Sequence, residues 1–412
     1  MTSPTYQTSG APAAPAAPPV PDDTLPVAAL LALAMTGFIC IVTETLPAGL
    51  LPQMARGLAV SPSLAGQTVT AYALGSVIAA IPLTIATRGW RRRNVLLLTI
   101  IGFLVFNTMT ALSSDYRVTL LARFFAGVAA GLAWSLLAGY ARRMVQPHQQ
   151  GRAMAVAMVG TPVALSLGVP LATWLGSAVG WRSAFGVMSA LTLVLIVWVL
   201  ARVPDYPGQS GRGGMPLRKV LTTPGVRPVL ATVMAWMLAH NILYTYVAPF
   251  VTQAGLAHRV DVVLLVFGVA ALAGIGLTGR LVERHLRSTV LACLAMFFAV
   301  ALLFLWMPTV PAAVYLGVLV WGLSFGGAAT LLQTALADSA GDGADVALSM
   351  NVVAWNSVIA AGGVVGGVLL DRWGAGSFPW AMLGLLALGL TIVWSAKAHG
   401  FQPGPRIAVA GH

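Results

Sequence analysis

Residues 39–53 read ICIVTETLPAGLLPQ, an apolar stretch holding one carboxylate, Glu44, with Pro47 and Pro52 following it. The apolar character extends over about residues 26–53, enough for a membrane-spanning helix, which needs roughly 20 such residues. Comparable runs recur at about 64–86, 94–113, 117–141, 153–179, 182–202, 227–252, 261–282, 288–307, 310–337, 346–370 and 377–397. The reading is an all-α membrane protein of twelve transmembrane helices.

Composition supports it. Of 412 residues, 58% are hydrophobic and 8% charged, against about 25% charged in a soluble domain, and the mean hydropathy is +0.86. The net charge of +12 does not mark a nucleic-acid partner, because the bases stand in short groups between apolar runs instead of clustering on one solvated face. Cys40 and Cys293 both fall inside apolar runs, with no disulfide framework and no CxxC pair. Residues 1–25 are rich in Ala and Pro and hold no Lys or Arg, so they lack the charged start of a signal peptide and read as a disordered tail.

Basic residues set the orientation. After even-numbered spans stand Arg88 and Arg91 to Arg93; Arg142, Arg143 and Arg152; Arg202, Arg212, Arg218, Lys219 and Arg227; Arg280, Arg284 and Arg287; and Lys397 with Arg406. The odd-numbered connections hold only Arg56, Arg117, Arg182, Arg259 and Arg372. Both termini are therefore expected in the cytoplasm. The polar segment 203–226 divides the chain into two six-span halves, 26–202 and 227–397, with a second cytoplasmic tail at 398–412.

The halves echo each other. RGWRRRNVLLL after the second span is matched by GRLVERHLRSTVLA after the eighth, and the spacing from Glu44 to Pro52 recurs from Asn241 to Pro249. Such internal symmetry characterises one transporter architecture, with its solute site near the bilayer midplane.

In these features the sequence resembles the major facilitator superfamily, within it the twelve-span drug:proton antiporters that include bacterial arabinose, sugar and purine ribonucleoside exporters. RFFAGVAAGLAWS (Arg123, Gly127, Gly131) is similar to the family's fourth-span motif, and GTPVALSLGVPLATWLG (Gly160, Pro162, Gly168, Pro170) to its fifth-span antiporter motif. In the loop motif with Arg88 and Arg91, the family's acid is replaced, so the usual partner of the basic run is missing. GLTGRLVER, with Gly276 and Arg280, is a fuller copy in the second half. TETLPAGLLP and HNILYTYVAPF are similar to the first and seventh spans of the sugar and arabinose exporters. The resemblance implies a multi-pass protein of the bacterial inner membrane, acting as a monomer, that exports a small solute by alternating access in exchange for protons. A sugar or sugar-like solute leads; nucleosides and antibiotics such as chloramphenicol follow, with facilitated diffusion as the alternative mechanism.

Glu44 is the one acid away from tails, loops and span ends, and Arg123 the one base. An intramembrane charge is costly, about 2.5–3.5 kcal/mol on insertion scales, and marks a proton or solute path or a buried partner. Helix rise puts Glu44 roughly 27 Å beyond Pro26 and Arg123 roughly 9 Å inward from Arg117, at similar depths. Glu44 and Arg123 are the proton-coupling candidates; the alternative is a static ion pair holding the first and fourth spans together. His240 and Tyr244, four apart on one helix face, with Asn241, are candidate solute ligands or satisfied core groups. Trp134, Gln333, Trp355 and Asn356 are further mid-span groups for lining a cavity or joining helices. GGVVGG (362–367) and SFGGAAT (324–330) lack a phosphate-loop signature and read as close helix packing. No metal spacing, paired catalytic acid or ATP motif appears, so neither an enzyme nor a bound cofactor is expected and a proton gradient is the expected energy source.

Overall fold

The computed structural model describes residues 25–146, 149–208 and 216–404. Nearly all of the tail read at 1–25, the centre of the 203–226 segment and the end of the 398–412 tail lie outside these. The described residues build helices throughout.

Span 1 is Val27–Gly49 continued by Leu51–Gly57. Spans 2 to 6 are Pro62–Ala86, Arg92–Leu112, Tyr116–Arg143, Arg152–Val179 and Trp181–Arg202. Span 7 is Val226–Thr245 continued by Val247–Thr252. Spans 8 and 9 share Val260–Trp306, and spans 10 to 12 are Pro311–Ala340, Val346–Trp373 and Ala375–Ser395. The Val260–Trp306 helix has 47 residues, about 70 Å at 1.5 Å per residue and more than twice the hydrocarbon thickness. Its backbone leaves helical geometry at His285 (φ −135°, ψ 32°), which separates span 8 from span 9.

Proline spacing explains the breaks in spans 1 and 7. A proline has no N–H to give the carbonyl four residues back, and its ring crowds that carbonyl. Pro52 lies four residues after Ala48 and Pro249 four after Thr245. The helices break between them at Leu50 (φ −111°, ψ 15°) and Tyr246 (φ −115°, ψ 30°), similar conformations within one residue of the same place relative to the two prolines. In span 5 the backbone widens to a π-helical turn over Ala164–Gly168, just ahead of Pro170. There Ser166 Oγ donates to the Pro162 carbonyl at 2.7 Å.

Glycines set how closely the spans cross. A Cβ on Gly127 or Gly131 would strike the Tyr72 or Ser76 carbonyl, and one on Gly75 would strike Phe124, so spans 2 and 4 meet backbone to backbone. Gly274, Gly322 and Gly326 make the equivalent crossing of spans 8 and 10. Gly160, Gly168 and Gly176 of span 5 lie against Ala34, Phe38 and Leu50 of span 1. Small residues allow this approach where lipid supplies no hydrophobic drive for helix association. Gly127→Ala is therefore expected to lower the thermal midpoint of the purified protein clearly, while Gly139→Ala, which meets open space, leaves it unchanged.

Spans 2 and 11, and spans 5 and 8, join the first six helices to the last six. Across the first seam Ser63 Oγ donates to Asp371 Oδ2 at 2.6 Å, and Tyr246 Oη, from span 7, donates to the Gly363 carbonyl at 2.7 Å. Gln67 Nε2 donates to the same carbonyl at 3.2 Å. The GGVVGG glycines pack here: Gly362 on Asn241, Gly363 on Thr70, and Gly366 and Gly367 on Tyr246. This network seals the end of the bundle opposite the arginine-rich loops.

Candidate functional site

Glu44 is buried at 7% exposure, and Arg123 is fully buried. They are not ion-paired. The Arg123 guanidinium donates to three backbone carbonyls: Nη1 to Thr43 at 2.6 Å, Nη2 to Glu44 at 3.2 Å and Nε to Thr68 of span 2 at 3.3 Å. The sequence gives the reason. Thr43 lies four residues before Pro47, so its carbonyl has no helical N–H to accept, and Arg123 supplies the donor. The cation also stands over the Tyr72 ring at 4.8 Å and the Phe185 ring at 5.7 Å. Static pairing of the two side chains is thus not the arrangement found: Arg123 clamps the backbone of span 1 and leaves the Glu44 carboxylate outside a salt bridge.

Around that clamp, Asn107 Nδ2 of span 3 donates to Thr43 Oγ1 at 3.0 Å, and Tyr72 Oη of span 2 donates to the Cys40 carbonyl at 3.0 Å. Spans 2, 3 and 4 thereby fix the segment that carries Glu44. Toward span 7, Tyr244 lies beside Thr45, the next residue after Glu44.

His240 and Tyr244 do share a face, with stacked rings 5.2 Å apart at 25°. The imidazole is nevertheless engaged. Its Nδ1 accepts from Trp321 Nε1 at 3.1 Å, and its ring lies parallel to Phe325 at 3.6 Å. An Nδ1 that accepts leaves the proton of a neutral imidazole on Nε2. Phe267 closes the box against both His240 and Trp321. The result is a rigid aromatic wall built from spans 7, 8 and 10.

The other candidates are spread. Asn241 Nδ2 and Asn356 Nδ2 donate within their own helices, to Met237 at 2.8 Å and Val352 at 3.0 Å. Trp134 is half-buried beside Gly37 of span 1, and Trp355 is half-buried against Val69, Ala73, Ile359 and Ala360. Gln333 is exposed.

Residues 33–363 match the family model described as Major Facilitator Superfamily. The chain belongs to the Major Facilitator Superfamily. Its likeness to individual members is spread over nearly the whole length. The purine ribonucleoside efflux pump NepI of Shigella sonnei is 28% identical over 90% of this chain and 93% of its own. The inner membrane transport protein YdhP of Escherichia coli K12 is 30% identical over 91% of this chain and 96% of its own. Among solved structures, the nucleoside transporter NupG superposes with a TM-score of 0.70 at 14% identity, covering 91% of this chain and 99% of that one. The aligned folds are membrane transporters, and this facilitator is a multi-pass membrane transporter.

The motifs of this facilitator fall into place unevenly. Arg88 is exposed, and its carbonyl accepts from Arg92. Arg91 finds the acid that its own loop lacks: Nε donates to Asp205 Oδ2 at 2.5 Å, and the Arg93 N–H donates to Oδ1 at 3.2 Å. Asp205 follows span 6, 114 residues from Arg91, which hides the pairing from a local motif search. Burial raises the Asp205 pKa, but the bonds from Arg91 and Arg93 outweigh it and hold the group below the ordinary carboxylate range. A depressed carboxylate contributes its tie above the unfolded pKa and loses it as pH falls through the folded one, so this contact persists at neutral pH. Gly276 and Gly279 of the second copy face open space, and Arg280 is exposed.

Three further participants escaped the sequence reading. Asp371 and Tyr246 build the sealed seam. Trp321 orients His240, and an indole N–H in an apolar span, which has to find an acceptor, was the available signal.

Proposed function

We propose that this facilitator exports a small neutral, ring-bearing solute from a bacterial cell in exchange for protons, with nucleosides ahead of free sugars. One observation carries the proposal: Glu44 is a buried carboxylate outside any salt bridge, on a helix broken at Leu50. A fixed pair would hold its charge permanently, whereas an unpaired buried carboxyl can be loaded and unloaded as its surroundings change. Arg123 serves as the strut that holds this segment and keeps a positive charge nearby.

The solute class draws support from the names of NepI and NupG, and from the half-buried faces of Trp134 and Trp355, which suit stacking on a planar ring. The His240 wall and the amides of Asn241, Asn356 and Gln333 offer edges for polar groups. With the arginine-rich end in the cytoplasm, as the distribution of bases supports, the sealed seam at Ser63, Tyr246 and Asp371 closes the outer side. In the cycle, Glu44 takes a proton from outside, the two halves rock, the proton leaves inward, and the solute binds and is carried out. The inner membrane is the location, and the protein acts as a monomer without a bound cofactor. One charge crossing 100 mV releases about 2.3 kcal/mol, enough for roughly a fiftyfold solute gradient.

Proteoliposomes test this. With the lumen acidified, inverted-orientation transporters are expected to accumulate labelled purine nucleoside several-fold over the medium, with collapse on adding an uncoupler. Equilibration without accumulation would identify facilitated diffusion instead, and accumulation of sugars or chloramphenicol but not nucleosides would reassign the solute.

A further inference from the structure

We propose a site for a phosphate-bearing anion at the turn between spans 8 and 9, remote from Glu44. Where the helix breaks at His285, a cavity of about 220 Å³ opens, lined by Arg284, His285, Arg287, Ser288, Leu291 and Pro403. Arg287, Ser288 and Leu291 follow at helical spacing, which puts them on one face of span 9, and Arg284 stands just before the break.

The two arginines differ in a useful way. Arg287 is half-buried and held rigidly: Nη1 donates to the Val393 and Phe401 carbonyls at 2.7 and 3.0 Å, and Nη2 to Trp394 at 2.9 Å. Those acceptors are neutral, so they orient the guanidinium without cancelling its charge. Arg284, His285 and Ser288 are exposed at the rim. Among the described residues no acid lines the cavity; Glu283, the neighbour of Arg284, is outside the lining. Preorganised guanidinium forks match phosphate oxygens in geometry and charge.

The surroundings grade from polar to apolar. Leu291 stands one turn beyond Ser288, and Trp394, whose carbonyl Arg287 holds, is 71% exposed, as an indole is at a membrane–water interface. A phosphate at the arginines would thus have an acyl chain's path beside it. The same chemistry also accepts a soluble phosphate, and the test separates the two sources.

The full-length protein, purified and delipidated, would be titrated with phosphatidylglycerol and with phosphatidylcholine, with bound lipid read by native mass spectrometry. Phosphatidylglycerol is expected to bind more tightly, and Arg284→Gln to weaken it about fivefold, the value of one surface cation near an anionic lipid. Arg218→Gln, which removes an exposed cation at the same end outside the cavity, is expected to leave it unchanged. Competition by millimolar inorganic phosphate assigns the site to a soluble anion, and lack of competition assigns it to the lipid. Equal binding of phosphatidylglycerol by wild type and Arg284→Gln, with matching lipid-free thermal midpoints to show that both are folded, would overturn the proposal.

Discussion

Arg123→Met is expected to lower the stability of the purified transporter by about 3 kcal/mol, because an orphaned buried carbonyl costs about 1–3 kcal/mol and the lost contacts with the Tyr72 and Phe185 rings add to it. Of the three carbonyls that Arg123 serves, those of Glu44 and Thr68 lie within continuous helix, while that of Thr43 faces Pro47 and depends on the guanidinium. Arg123→Lys keeps the charge but offers a compact ammonium in place of a planar fork, so an intermediate loss is expected. The decisive variant is the double mutant. Pro47→Ala restores an N–H opposite Thr43, so it is expected to recover about 1–2 kcal/mol in the Met background and much less in wild type. A double-mutant cycle on thermal unfolding reads that coupling directly. Equal increments from Pro47→Ala in both backgrounds would show that Arg123 does not serve the Thr43 carbonyl.

That clamp also shows where sequence reading stops. The spans, the break points and the glycine crossings were legible, since each depends on local spacing: Pro52 and Pro249 mark the breaks, and Gly127 and Gly131 mark the approach of spans 2 and 4. Glu44 stood out by elimination among the acids. The acceptor of Arg123 did not, although the four-residue step from Thr43 to Pro47 was present in the sequence, because matching depth suggested a charge partner and only the packing of span 4 against spans 1 and 2 showed a backbone one. His240 and Arg91 hid their partners for a related reason. Their partners, Trp321 and Asp205, lie 81 and 114 residues away, and nothing local announces them. Asp205, read as a loop acid, restores to the first half the ion pair that its loop motif lacks.

The role of Glu44 rests on one difference between two states of its carboxyl, and Glu44→Gln removes that difference while preserving shape. Because the carboxylate enters no salt bridge, the amide leaves no buried cation unpaired: Arg123 keeps its three carbonyls, and the variant is expected to fold with a thermal midpoint near that of wild type. Transport is expected to split. Accumulation driven by a pH gradient should fall at least tenfold, to the level seen with an uncoupler, while exchange of labelled for unlabelled solute at equal pH, which needs no net proton movement, should persist. The most direct measurement is therefore the pair of assays on Glu44→Gln in proteoliposomes, gradient-driven accumulation and solute exchange. Loss of the first with retention of the second is the predicted result, and undiminished gradient-driven accumulation by the Gln variant would contradict the assignment of Glu44 as the proton site.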